Sequence, residues 1–169
     1  MRDIKFICCQ PDGTYYTWQV HMWLESLRNL NLSHKAIVLI FVPNFREQNK
    51  NWQKIINLYP ETEFYFQKDE DNINNLISLY IPIIRPYTLH KYFEKNPQLK
   101  EDAIFYCDSD ILFTDKFNIN EFLEDDVCYL SNTNSYINSD YINNKVNDCI
   151  PEKRDQLLQI DVLQSLTSY

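Results

Sequence analysis

Glycine is almost missing from this chain: Gly13 is the one glycine in 169 residues. The phosphate-cradling P-loop and the dinucleotide turn of Rossmann enzymes each need several glycines at fixed spacing, so both are excluded. Basic residues are outnumbered, with 16 Lys and Arg against 24 Asp and Glu and a net charge of −8. A protein that tracks a nucleic-acid backbone needs a basic surface, so no nucleic-acid partner is expected. An anionic ligand stays within reach if a bound cation supplies the positive charge. No run is long and apolar enough to span a membrane, and the N-terminus carries no apolar signal region. The expectation is a cytoplasmic protein with no membrane span. The five cysteines include the adjacent Cys8-Cys9 but no CxxC spacing. Zinc is therefore disfavoured, and Cys8, Cys9 and Cys107, all in predicted strands, are expected as buried reduced thiols.

What is present suits a packed globule: 44% of residues are hydrophobic and 15% aromatic. With no repeat and no linker, residues 1–169 are expected to form one domain. Ile4–Cys9 predicts a strand ended by the turn Gln10-Pro11-Asp12-Gly13. Val20, Trp23, Leu24 and Leu27 then follow helical spacing, with Thr14 or Thr17 as the cap. Ala36–Val42 predicts a second apolar strand, Trp52, Ile55, Ile56 and Tyr59 a second helix, and Glu63–Gln67 a third strand. Ile73, Leu76, Ile77 and Tyr80 form another helical stripe, and Pro86 suits the first turn of a helix whose inner face holds Leu89 and Phe93. Ala103–Cys107 is a strand candidate without polar alternation, as expected for a strand buried on both faces. Val127–Leu130 predicts a strand, Ser131–Asn144 a polar loop and Pro151–Leu166 a final helix. Strands alternating with helices predict an α/β fold, a mainly parallel sheet flanked by helices.

The most informative segment is Ala103-Ile-Phe-Tyr-Cys-Asp108-Ser109-Asp110-Ile-Leu-Phe113. An apolar run stops at two aspartates one residue apart and resumes at once. If the chain stays extended, residues two apart share a face at roughly 6.5–7 Å between Cα atoms. Two carboxylates so placed can converge on one hard divalent cation. The plain alternative is a solvated strand end, but two like charges against buried strand are costly unless a cation or donors compensate. An EF-hand is excluded because Leu112 and Phe113 stand where a ligand and a glycine are required. A haloacid-dehalogenase-type phosphatase has its Asp pair on the first strand, and here the pair comes late. Sugar nucleotidyltransferases rely on a Gly-rich N-terminal loop that this chain lacks.

Asp108-Ser109-Asp110, after Ile104–Cys107 and before Ile111–Phe113, resembles the DxD motif of glycosyltransferases with the GT-A fold. Arg85-Pro86-Tyr87 is similar to the basic-Pro-aromatic start of the helix that precedes that strand in many of these enzymes. Tyr16 and Trp18-Gln19 weakly resemble the hydroxyproline-arabinosyltransferase and serine-galactosyltransferase-like branch. The similarity runs from Ile4 to about Leu130. It implies a nucleotide diphosphate sugar donor, most often a uridine diphosphate sugar, held through Mn²⁺ or Mg²⁺, and an unknown glycan or protein acceptor. It implies Asp110 as a direct metal ligand, Asp108 at the metal or the ribose, and Ser109 beside the ribose. Gln10 would border the nucleotide, and Arg85 would face the diphosphate or sugar. Gln10 as an ordinary turn residue and Arg85 as a solvated helix-start arginine are the plainer alternatives.

Such enzymes normally continue past the DxD strand into an acceptor half with a third metal ligand, often histidine. No histidine follows Asp110, since His21, His34 and His90 all precede it. No acid beyond it is marked as a base or nucleophile, so no catalytic residue is assigned. The expectations are a donor-binding part of a larger protein, an oligomer or partner chain completing the acceptor site, or a shortened, weakly active relative. A non-catalytic nucleotide-sugar-binding or structural domain is the alternative from another class.

Overall fold

The structure, a computed structural model, describes residues 4–73, 81–115 and 144. The backbone divides into two units, Met1–Leu123 and Glu124–Tyr169, and all described residues except Asn144 belong to the first. Four strands, β1 (Ile4–Pro11), β2 (Ala36–Val42), β3 (Glu63–Lys68) and β4 (Ala103–Tyr106), form one sheet in the order β3-β2-β1-β4. Every pairing among the described residues is parallel, with Phe6 opposite Ala36, Ile37 opposite Glu63 and Ile4 opposite Ala103. Parallel neighbours cannot be joined by a tight turn. The crossovers accordingly carry helices α1 (Thr14–Asn29), α2 (Asn51–Leu58) and α3 (Ile84–Lys95). The expected α/β class with a parallel sheet is what the described residues form.

The apolar strands divide their side chains between two layers, as the two-residue period of a strand requires. Phe6, Cys8, Val38 and Ile40 pack with Val20, Trp23, Leu24 and Leu27 of α1 and with Trp52 and Ile55 of α2. Ile7, Cys9, Ile37 and Leu39 face the other way, against Tyr92 of α3 and Leu99. β2 is buried along its whole length because it has strands on both edges and helices on both faces. Full burial of each such aliphatic side chain contributes about 1.5–3 kcal/mol, which makes β1, β2 and α1 the stable centre.

Helix α1 ends on a device suited to a glycine-poor chain. Asn31 takes a left-handed backbone, φ 59°, just past the helix end. Its N–H donates to the Arg28 carbonyl at 2.9 Å, and the Leu32 N–H donates to the Leu27 carbonyl at 2.8 Å. This pair of bonds is the Schellman arrangement, with asparagine in the position that glycine usually fills.

Several sequence expectations are corrected. β1 runs two residues past Cys9, so Gln10 and Pro11 are strand residues and only Asp12-Gly13 turn. Neither Thr14 nor Thr17 caps α1: Gly13 stands at the N-cap in extended conformation, and no side chain caps the helix. Thr17 Oγ1 instead donates to the Thr14 carbonyl at 2.7 Å. The buried residues of α3 are Ile84, Thr88 and Tyr92, while Leu89 and Phe93 pack only half-buried at the margin. Thr88 and Tyr92 escape a count of apolar residues, yet Tyr92 can be buried because its hydroxyl donates to Glu63 Oε1 at 2.7 Å. β4 stops at Tyr106 and is not buried on both faces: Ile104 and Tyr106 are 38% and 39% exposed. Among the described residues it borders only β1, so one edge lacks the neighbour that encloses β2. Asn144, placed in the predicted polar loop, is helical. The predicted stripe beyond Ile73 and the elements predicted past Asp115 otherwise lie outside the described residues.

Candidate functional site

Strand order reverses once. β2 and β3 add on one side of β1, and the chain then returns to place β4 on the other side. Open parallel sheets bind ligands outside the carboxyl ends of their strands at such a reversal. Asp12 emerges there from β1, after its last residues Gln10 and Pro11, and Cys107 to Asp110 emerge from β4. The last β1–β4 partners are Ile7 and Tyr106, and the Cys107 N–H donates to the Ile7 carbonyl at 3.0 Å. Asp108 and Asp110 thus leave the sheet beside the last residues of β1.

The acids sit in a turn rather than on an extended strand, which corrects the expectation of a shared strand face. Aromatic rings pin both ends of that turn. Phe105 before it and Phe113 after it both pack on Phe6, at 5.7 and 5.5 Å between ring centroids, and on each other at 5.8 Å. The Phe113 N–H also donates to Ser26 Oγ of α1 at 3.2 Å. With its ends held, the turn puts Ser109 inside and its neighbours outside: Ser109 is 1% exposed, whereas Asp110 is exposed. Ser109 Oγ is buried and has no hydrogen-bond partner among the described residues. The turn presents Asp108 and Asp110 outward.

Arg85 completes the group. It lies in the first turn of α3, and its Nη2 stands 3.0 Å from Asp108 Oδ1, with the two side chains 35% and 39% exposed. Two contacts hold the helix start that carries it: Cys9 Sγ meets the Ile84 carbonyl at 3.9 Å, and Tyr87 packs edge-on against Phe41 of β2 at 5.9 Å. Further along the helix, Lys91 pairs with Asp71 at 2.9 Å. Gln10, by contrast, is buried within β1 opposite Ile40, a strand residue rather than the turn residue its sequence context suggested.

The thiols under the site are shifted by burial. Burial pushes Cys9 and Cys107 up to about 12 from an ordinary 9.0. Burial also raises Cys8, with Cys107 adding to the effect. All three are free thiols, as expected, though Cys107 is only partly buried. Held protonated, they offer neither a thiolate nucleophile nor a thiolate ligand.

One residue at this edge carries more structure than a turn position suggested. Asp12 is wholly buried, and its carboxylate accepts hydrogen bonds from the Trp52 indole at 2.7 Å and the Asn49 N–H at 2.9 Å. Its own carbonyl accepts from Arg46. Asp12 thereby ties the segment after β2 and the start of α2 to the end of β1. An aspartate beside a glycine looks like any turn in sequence, so no local signal marked it.

The donor set decides which cation fits. Among the described residues no group of three His, Cys, Asp or Glu side chains could enclose an ion. Two carboxylates without a third protein ligand do not suit a closed zinc site. They do suit Mg²⁺ or Mn²⁺, hard ions that take one or two carboxylates and complete their shell with water and phosphate oxygens. Among the described residues no helix is long and apolar enough to cross a membrane. No protein-family model, curated protein or solved structure matches this chain. What the site does rests on its own geometry and chemistry.

Proposed function

We propose that the edge between β1 and β4 binds a nucleotide diphosphate sugar, and that the chain acts in metal-dependent glycosyl transfer of GT-A type. The single observation behind this reading is the Asp108-Ser109-Asp110 turn at the point of strand reversal, with Arg85 3.0 Å from Asp108. A uridine diphosphate sugar is the proposed donor, and a glycan or protein hydroxyl the proposed acceptor. Asp110 is exposed and enters no ion pair or hydrogen bond among the described residues, so it is the carboxylate ready to ligate Mn²⁺ or Mg²⁺. Asp108 is the second oxygen ligand. Arg85 offers the diphosphate a planar fork of donors. When bound, the cation supplies Lewis-acid stabilisation of the departing diphosphate. The chain's own part is to hold the carboxylates on a turn clamped by Phe6, Phe105 and Phe113, so little ordering remains to be done on binding.

Thermal melting with Mn²⁺ and a panel of nucleoside diphosphates tests the site. A ligand at a hundredfold excess over its dissociation constant stabilises by about 2.7 kcal/mol through linkage. Uridine diphosphate with Mn²⁺ should raise the melting point, and Asp110→Ala should abolish the metal-dependent part. Release of free uridine diphosphate from its sugar conjugates then separates an enzyme from a non-catalytic binding domain. No shift with any nucleotide would sink the reading.

A further inference from the structure

Arg85 lies in the first turn of α3, directly after the 3-10 turn Ile81–Ile83, and no acidic residue of that first turn balances its charge. Asp108 relieves that charge from across the site. The same carboxylate is one of the two on the Asp108-Ser109-Asp110 turn, so a cation bound there and Arg85 compete for it. A divalent ion on Asp108 while Arg85 stays at 3.0 Å would put like charges side by side. Partly exposed ion pairs of this kind contribute little. Both side chains reach solvent, at 35% and 39% exposure.

Resting on the donor-site reading above, we propose that the Arg85–Asp108 ion pair is a lock on that site, which a diphosphate releases. Without nucleotide, Arg85 occupies Asp108, and of the turn's two carboxylates Asp110 is the one without an ion pair among the described residues. A diphosphate presents paired anionic oxygens that match the guanidinium fork better than one carboxylate oxygen does. Arg85 turns to it, and Asp108 becomes free to ligate. Cation and diphosphate are then held synergistically, each tightening the other by the same factor, as linkage requires. The device spares an acidic surface from filling with metal when no donor is present.

The test is titration of Mn²⁺, followed through the spin-resonance signal of the free ion, with and without uridine diphosphate and corrected for metal bound by the nucleotide in solution. In the wild-type protein Mn²⁺ alone should bind weakly, and saturating uridine diphosphate should tighten it about tenfold or more. Arg85→Gln should bind Mn²⁺ alone at least about threefold more tightly, and most of the nucleotide-induced tightening should vanish. Arg85→Lys, which keeps the charge and loses the fork, should leave Mn²⁺ alone weakly bound and still lose the synergy. Unchanged or weaker binding of Mn²⁺ alone to a folded Arg85→Gln protein overturns the lock. If the wild type nevertheless binds uridine diphosphate with Mn²⁺, the donor-site reading stands without the lock. Failure of the wild type to bind nucleotide under any condition overturns both.

Discussion

The Trp52 indole N–H donates to the Asp12 carboxylate across 2.7 Å, tying the start of α2 to the end of β1. With the Asn49 N–H on the same carboxylate, two donors depend on one buried acid. Each buried donor left unsatisfied costs about 1–3 kcal/mol. Asp12→Ala should therefore destabilise the fold by about 2–5 kcal/mol in equilibrium urea unfolding. A loss below about 1 kcal/mol would mean that water or a rearranged loop satisfies both donors.

Asn31 provides a test of backbone strain. A residue with a Cβ pays about 1–2 kcal/mol in the left-handed region, and asparagine pays less than most. Asn31→Ala should lower stability by about 1 kcal/mol, whereas Asn31→Gly should leave it within about 0.5 kcal/mol of wild type. Equal losses for the two variants would show that the asparagine side chain matters more than the φ angle.

The buried thiols fix the sign of an alkaline pH dependence. Burial raises Cys9 and Cys107 from 9.0 to about 12. Below pH 9 both folded and unfolded chains keep these protons, and the stability contribution is complete. Between pH 9 and 12 the unfolded chain loses protons that the native state retains. Unfolding then becomes easier by about 1.4 kcal/mol per pH unit for each thiol. Urea midpoints measured from pH 8 to 10.5 should fall, and Cys9→Ala or Cys107→Ala should each flatten the slope above pH 9. A slope that neither variant changes would assign the effect to other groups.

Sequence pattern exposed the strands and helices whose burial is carried by apolar residues alone. Ala36–Val42 is the range of β2, and Val20, Trp23, Leu24 and Leu27 are wholly buried in α1. It missed positions where polar atoms are buried because a distant partner satisfies them. Tyr92 turns inward because Glu63 meets its hydroxyl, and Asp12 because Trp52 and Asn49 do. The exposed face of β4 was equally hidden, since the number of neighbours a strand has depends on sheet order, not on its own residues. The two aspartates were legible as an interruption of an apolar run. The ion pair between Asp108 and Arg85 was not, because it depends on how α3 docks against β1 and β2.

Paramagnetic broadening of backbone amide signals by Mn²⁺ locates a bound cation directly. With uridine diphosphate present, amides of Cys107 to Leu112, the end of β1 and the first turn of α3 should broaden first. Asp110→Ala should remove that pattern. Broadening centred instead on Glu101 and Asp102, just before β4 at the amino-terminal end of the strands, would contradict the assignment of this turn as the cation-held nucleotide site.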